Sequence, residues 1–457
     1  MRVLHVPYTY YPDPVGGTEV YVAGLAAWQR VHGCEVAIAA PGDTDSSYRH
    51  ADMPVWRFAA APVRDLRDLY GDGNPAAAEA FGRILDEYCP DVVHLHALTR
   101  ATSVRLVEQV KARRIPVVFN YHTPTVSCPR GSLLRWGAEI CDGKLDLDLC
   151  TPCAMHGNGL PRPVAKLLSA VPKGACRQLG NAGLSGGVWT ALRLPDLVDV
   201  RIQVFRRLIE MVDHVVALCD WTRDLLLRNG VPAEKITLSR QGIAYDTDDQ
   251  ALASPAGRPF RLPLRAAFLG RLDPTKGAHV IIQALKESRN LPVEPDLFGV
   301  CQGTGSQRYA AELAAAMSGD ARIRMFAPIP SDQVVRRLSE YDFVVIPSQW
   351  LETGPLVVLE AFAARTPVIG SKLGGIAELV THEVDGLLVE PADSPAAWAE
   401  SLRRICMNPG LLALLRTGIR PPTHIKDAAR DATVLYERLM DRRQTRAVLL
   451  PEGAPAR

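Results

Sequence analysis

DFVVIPSQWLETGPLVVLE (342–360) is the stretch on which the fold reading turns. Its β-branched opening, DFVVIPS, ends in Pro and Ser and predicts a short buried strand that closes in a turn. Pro355 suits the first position of the helix that follows, where its missing N–H has no partner to lose. Glu352 then lies in the loop at the helix mouth, and Glu360 a little over one turn inside. Helical side chains lean toward the N-terminus, so Glu360 overhangs the same mouth. Free N–H groups and the helix dipole make such a mouth attractive to an anion, yet two carboxylates converge on it.

The conflict disappears if the acids bind hydroxyl groups. An ionised carboxylate only accepts hydrogen bonds and suits the paired hydroxyls of a sugar. A ligand with phosphate between two sugars, a nucleoside diphosphate sugar, has the required layout. The alternative is a pair of ordinary solvated glutamates, and the rest of the chain decides between them.

At 457 residues the chain exceeds one hydrophobic core, which predicts two domains. Hydrophobic residues at 47% and charged residues at 22% are ordinary for a globular protein, and a net charge of +2 gives no reason to expect a nucleic-acid partner. MRVLHVPYTYYPD (1–13) has too short an apolar run for a secretory signal, and no run of 18 apolar residues occurs. These features predict a cytoplasmic protein with reduced cysteines.

Short apolar runs alternate with helical patterns, the signature of βαβ units and parallel sheets. The first half offers strands at 2–8, 35–41, 91–97, 115–122 and 214–220. The second offers them at 265–271, 293–300, 323–328, 342–348, 366–371 and 386–391. AYDTDDQALASPAGRPFRLP (244–263) reads as a linker between domains at 1–243 and 264–420. A C-terminal helix at 421–445 is expected to pack back on the first domain, ahead of a tail at 446–457. The predicted fold class is α/β, two doubly wound Rossmann-like domains facing a cleft, with ligands at the carboxyl ends of strands.

Candidate site residues fall at those ends. PYTYYPDPVGGTEVYVAGLA (7–26) places Gly16 and Gly17 between a strand and a helix, where backbone N–H groups can approach a ligand closely. GRLDPTKG (270–277) carries Arg271 and Lys276 at a glycine-flanked turn, a match for a diphosphate. His122 closes its strand before Thr-Pro and faces the crevice, whereas His94 and His96 read as mainly structural.

Together, GGTEVYVAGLA, DVVHLHA, NYHTP, GRLDPTKG, WLETGPLVVLEAFAARTPVIGS, GGIAELV and the spacing of DGLLVEPAD resemble family 4 glycosyltransferases of the GT-B fold, over most of residues 1–393. The resemblance implies a donor site in the second domain and an acceptor entering against the first. It implies that Arg271 and Lys276 hold the diphosphate as leaving group, that Glu360 takes the ribose hydroxyls, and that Glu352 and His122 lie at the transferred sugar. Gly17 approaches the phosphate. The family retains anomeric configuration and uses no catalytic metal, and no D-x-D element occurs here. Much of the family has an aromatic residue and then Gly after the first Glu. This chain has Gly354 and Pro355, so N–H donors must come from Gly354, Leu356 or Val357. A nucleotide-sugar epimerase of the same fold and a catalytically silent nucleotide-sugar-binding module are the rivals. A NAD-dependent dehydrogenase is disfavoured because the first turn lacks G-x-G-x-x-G.

Two features lie outside this frame. Cys128, Cys141, Cys150 and Cys153 fall within CPRGSLLRWGAEICDGKLDLDLCTPC (128–153), in an insertion at about 123–160, and the closing C-x2-C has the spacing of a structural zinc knuckle. Some family 4 members show a similar insertion after the active-site His. Residues 161–207 carry eight Lys/Arg and two Asp, with Val204, Phe205, Leu208 and Ile209 at helical spacing nearby, which reads either as a solvated basic face or as a patch for peripheral contact with an anionic membrane that bears a lipid-linked acceptor.

Overall fold

The computed structural model describes residues 1–13, 16–60, 65–184, 186–244 and 259–449. The expected linker falls largely on 245–258, outside the described residues, as does the tail beyond 449. The first sheet has eight strands: β1 (Arg2–Val6), β2 (Glu35–Gly42), β3 (Ser46–His50), β4 (Met53–Ala59), β5 (Val92–Leu95), β6 (Val117–Tyr121) and, after a small hairpin of β7 (Leu134–Arg135) and β8 (Glu139–Ile140), β9 (His214–Ala217) and β10 (Ile236–Leu238). Their order is β10-β9-β6-β5-β1-β2-β4-β3, and all pairs are parallel except β3 with β4.

The second sheet has six parallel strands: β11 (Leu264–Arg271), β12 (Val293–Val300), β13 (Arg324–Phe326), β14 (Phe343–Ile346), β15 (Val368–Ser371) and β16 (Gly386–Val389). Their order, β13-β12-β11-β14-β15-β16, is the doubly wound sequence 3-2-1-4-5-6. Both domains are α/β. The apolar runs are near-continuous because helices cover both faces of each sheet: Val3, Leu4, Ala37, Ile38, Val344 and Ile369 are all fully buried.

In the 3-2-1-4-5-6 order the chain reverses between β11 and β14, and the crevice opens beyond their carboxyl ends. Two loops must meet there: GRLDPTKG after β11 and PSQWLETGP after β14. One glycine makes the meeting possible. Gly277 has φ +74, and a Cβ there would lie 1.8 Å from the Pro347 carbonyl oxygen. Thr275 O accepts from Gln349 N at 2.7 Å and ties the two loops directly.

Helix Ile425–Leu449 leaves the second domain and packs on helix Gly17–Val31 of the first. Ile425, Ala428, Ala429, Leu435 and Tyr436 join the core that contains Val3, Val22 and Leu25. Strands β3, β4 and β10 of the first sheet, and the two-residue strands β7 and β8, have no counterpart among the strands expected from sequence. β3 (SSYRH) is a largely exposed antiparallel edge, β4 carries Pro54, and β10 is three residues long, so none shows an apolar run. No helix among the described residues is long and apolar enough to cross a membrane.

The expected basic patch requires correction. Val204, Phe205, Leu208 and Ile209 point into the first-domain core and are at most 8% exposed. Lys173 pairs with Asp199, Arg177 with Asp196 and Arg207 with Asp72, while Arg193 is buried. Three of the eight cations counted in 161–207 are thus paired with acids and the apolar residues belong to the core, while Arg162 and Lys166 lie over the Trp136 ring beside exposed Val164 and Leu167.

Gly277→Ala should destabilise the protein by about 2 kcal/mol or more, because it combines a positive φ with a clash against backbone. Gly305→Ala, in helix Gly303–Met317 with nothing within 4 Å of its added Cβ, should be neutral or stabilising. Chemical denaturation of the two variants checks the contrast, and equal stabilities would refute it.

Candidate active site

The β14 loop delivers Glu352 to the crevice almost fully buried, at 7% exposure. Its Oε1 accepts from Lys276 Nζ at 2.6 Å and from Ser348 Oγ at 2.8 Å. Burial, the largest single influence, would raise the Glu352 carboxyl, but the Lys276 ammonium and the hydrogen bonds to the carboxylate together outweigh it and hold the group below its usual range. Lys276 also lies 5.5 Å from the Trp350 ring centroid. Arg271, at the end of β11, makes no ion pair among the described residues.

Helix Leu356–Ala363 starts directly after the loop, with Pro355 as its N-cap, one place earlier than the sequence suggests. Its first N–H groups, Leu356 and Val357, have no carbonyl one turn back to bond. Gly354 has φ +142, a conformation that favours glycine. Glu360 is half-buried, and burial lifts its carboxyl from 4.5 to about 7.

The mouth of helix Gly17–Val31 faces that of the second-domain helix. A Cβ on Gly17 would meet Leu356 Cγ at 3.6 Å. Gly16 N–H is already taken, donating to Glu19 Oε2 at 2.9 Å. Burial raises the Glu19 carboxyl, against the Gly16 N–H and the Arg271 guanidinium across the cleft, which both lower it. Glu19 escaped the sequence reading, although its place three residues after Gly16 is that of a capping-box acid.

Further contacts between the domains fix the Glu352 loop. Trp221 Nε1 donates to Glu352 O at 2.9 Å, Thr353 Oγ1 to His122 O at 2.6 Å, and Leu351 N to Ser132 O at 3.4 Å. Glu378, in GGIAELV, accepts from the N–H groups of Asp220 and Trp221 and so caps helix Asp220–Arg228 of the other domain. Nothing local in the sequence marks a cap supplied from 157 or 158 residues away.

His122 lies at the cleft, but both of its ring nitrogens are engaged. Gln241 Nε2 donates to Nδ1 at 3.0 Å, which places the His122 proton on Nε2, facing His96 Nδ1 at 3.2 Å. The same logic carries inward from His96 Nε2 to His5 Nδ1 at 3.0 Å and from His5 Nε2 to Gln29 Oε1 at 2.9 Å. Burial keeps the row neutral, with His122 lowered to about 3 and His5 to about 4. His122 thus offers no free nitrogen to a ligand unless Gln241 yields. The ligand atoms of His5, His94 and His96 lie within 4.8 Å of one another, yet Gln29, Asn120, Tyr436 and His122 already occupy the nitrogens that a metal would need.

The cysteine segment folds over helix Asp220–Arg228, where Asn229 Oδ1 accepts from Leu145 N and Arg228 donates to Asp142 O. The Cys150 thiol is raised to about 11 by burial and, further, by Cys128, Cys141 and Cys153 around it. The four thiols share one neighbourhood, but no three of their sulfurs form a group within 4.8 Å among the described residues.

Residues 16–145 match the model of the glycosyl transferase 4-like domain, and residues 261–419 match that of glycosyl transferases group 1. The two matches fall one on each α/β domain, and the two-domain architecture is the GT-B fold. A D-inositol 3-phosphate glycosyltransferase of Salinispora tropica is 36% identical over 190 residues, 39% of this chain and 39% of that protein, so the chain spans well under half of this relative's length. Among solved structures, the fold of this chain matches sucrose-phosphate synthase of Thermosynechococcus elongatus with a TM-score of 0.63 at 19% identity, covering 96% of this chain and 100% of the other. It matches Anabaena HepE in complex with UDP and glucose with a TM-score of 0.62 at 17% identity, covering 96% and 99%.

The shifted Glu360 has a signed consequence. With its carboxyl at about 7 folded against 4.5 unfolded, the native state holds the extra proton between those values. Stability of the ligand-free protein should therefore fall as pH rises through that window. Glu360→Gln, which cannot ionise, should lose that part of the slope. Melting temperatures of both proteins across the window test this, and parallel profiles would refute it.

Proposed function

We propose that the protein is a retaining glycosyltransferase that moves a sugar from a nucleoside diphosphate sugar to an acceptor hydroxyl. One observation carries the reading: at the reversal point of the second sheet the buried Lys276–Glu352 pair, with Arg271 at the end of β11, lies just before helix Leu356–Ala363, which carries Glu360 and whose mouth faces the first domain. Arg271 and Lys276 would hold the diphosphate, with N–H groups of Leu356 and Val357, and of Gly354 before them, beside the phosphate or sugar and the Gly16–Gly17 turn closing from the other side. Glu360 would accept from ribose hydroxyls, a role that favours its ionised form and should draw its carboxyl back down on binding. Glu352 would face the transferred sugar, with His122 reaching it if Gln241 lets go.

In the reaction the bond from the anomeric carbon to the phosphate oxygen breaks and the bond to the acceptor oxygen forms on the same face. The acceptor proton passes to the departing phosphate. Negative charge grows on the diphosphate as it leaves, so the fixed cations and helix mouth stabilise the transition state more than the ground state. The UDP in the HepE structure makes UDP-sugars the first donors to try. Melting curves with UDP, GDP, ADP and dTDP identify the base through stabilisation by binding. Transfer and slow donor hydrolysis are then assayed with the matching sugars. Lys276→Ala and Arg271→Ala should each lower turnover on the order of 100-fold with the fold intact. Interconversion of the donor without any acceptor would favour an epimerase, and full activity in both variants would overturn the site.

The cysteine segment invites a second reading. We propose that Cys128, Cys141, Cys150 and Cys153 take one structural zinc. Four thiols are a donor set that structural zinc uses, and Trp136 N–H already donates to Cys153 Sγ at 3.3 Å, a contact that stabilises thiolate. With zinc–sulfur bonds of about 2.3 Å the sulfurs would have to draw to about 3.8 Å apart, which requires side-chain rotation. Elemental analysis of protein purified without chelator should find about one zinc per chain, lost in Cys150→Ser with Cys153→Ser. Metal-free, fully active protein would remove the idea.

A further inference from the structure

The first domain holds a cavity of about 1110 Å³ beyond the carboxyl ends of β1, β2, β4 and β5. Its lining includes Arg100, Arg130 and Arg201 together with Arg57, and the acids Asp13, Asp43 and Asp68. The charges do not cancel. Arg57 is bound to Asp13 at 2.7 Å and to the carbonyls of Tyr10 and Pro41, and Asp68 is bound to Arg105 at 3.2 Å. Those acids and that cation are spent on structure. Arg100, Arg130 and Arg201 have no carboxylate within 4 Å among the described residues, and of the lining acids Asp43 alone is similarly free.

Arg201 is the most telling of the three. It sits on helix Gly187–Met211, is only partly exposed, and donates from Nη2 to the Thr125 carbonyl, which leaves further guanidinium N–H groups for the cavity. No carboxylate lies within 4 Å of it among the described residues, and the acidic groups that act on it are only the Tyr121 hydroxyl and the Cys128 thiol. A cation taken from water without a counter-ion is costly, and a protein keeps one where a ligand supplies the missing charge. Thr125 also brings the second arginine near, since a Cβ on Gly131, next to Arg130, would lie 3.3 Å from Thr125 Cγ2. The Arg130 guanidinium packs against Gly137 and Gly157 of the cysteine segment and donates from Nη1 to Cys153 O at 3.3 Å, so it borders the cavity from that wall. Tyr8 and Tyr70 line the same cavity.

We propose that this cavity is the acceptor site and that the acceptor carries a phosphate-class anion, held by Arg201 with Arg130 and Arg100. The assignment of the cavity to an acceptor rests on the glycosyltransferase reading, whereas the anion site stands on the arginines. Guanidinium groups match phosphate oxygens bidentately, and pairs of N–H donors in a partly dry cavity distinguish an anion from a neutral hydroxyl. The anion can belong to a soluble sugar or polyol phosphate or to a lipid phosphate, which share this chemistry.

The test uses the full chain with nucleotide at saturation, so that Arg271 and Lys276 are occupied. Inorganic phosphate is titrated at constant ionic strength against a chloride control, followed by melting temperature and calorimetry. Wild type should show saturable stabilisation by phosphate, weakened at least about tenfold in Arg201→Gln and in Arg130→Gln. Both variants should keep the wild-type response to nucleotide, which shows that they are folded and that the donor side is intact. A soluble sugar phosphate and neutral vesicles doped with an anionic phospholipid, compared in the same way, identify the source, and Arg201-dependent binding of either supports the site. Phosphate without effect beyond chloride, or equal binding by wild type and Arg201→Gln, overturns it. Failure of every nucleotide to bind while phosphate binding still depends on Arg201 would overturn the glycosyltransferase reading and leave the anion site standing.

Discussion

The site depends on one ion pair, Lys276 with Glu352. Two opposite charges are held 2.6 Å apart in a place that leaves the lysine side chain 20% and the glutamate side chain 9% exposed. Losing either partner leaves the other buried without compensation, a cost of about 3 kcal/mol or more. The pair exists because β11 and β14, far apart in sequence, are neighbours at the reversal of the second sheet, so that the loops after them must share space. Ser348, Trp350 and the Gly277–Pro347 approach are all consequences of seating that pair.

The pair also explains why the Glu352 loop is fastened from the first domain. A loop that carries a buried charge has to be held in one conformation, and Trp221, His122 and Ser132 provide backbone-level hydrogen bonds that do so. Glu378 adds a charged cap from the second domain to a helix of the first, with Arg240 as its counter-ion at 3.1 Å. The cleft is thus closed by polar contacts at its edge and by Leu356 and Leu359, which join the first-domain core, behind them. Polar fastening of this kind can be exchanged for ligand contacts at low cost, because each group finds water or substrate when released.

Much of this was legible in the sequence, for definite reasons. Every strand with a run of β-branched residues was readable, because parallel strands covered on both faces carry uninterrupted apolar sequence. The pairing of Glu352 and Glu360 around Gly354-Pro355 was visible as a spacing, and Arg271 with Lys276 as another. What stayed hidden depends on distance in the chain: the Lys276–Glu352 bond itself, the Glu378 cap, and the engagement of His122 by Gln241. The basic stretch after 161 misled for the same reason, since its partners Asp72, Asp196 and Asp199 and the core that takes up Val204 and Phe205 can be seen only once the helices pack. The edge strand β3 was illegible on different grounds, having no buried face to imprint a pattern.

The return of helix Ile425–Leu449 to the first domain means that the backbone passes between the two halves twice. Where the first passage begins, it runs beside the second: Ile243 N donates to Thr423 O at 3.2 Å, Ile425 N donates to Ile243 O at 2.9 Å, and Ile243 and His424 form a parallel bridge. A Cβ on Gly242 would strike the His424 carbonyl, so the strands touch backbone to backbone. Mechanically this is a single pivot rather than two separate tethers. A change at that seam would act on both passages at once, and it lies one residue from Gln241, whose amide engages His122 at the cleft.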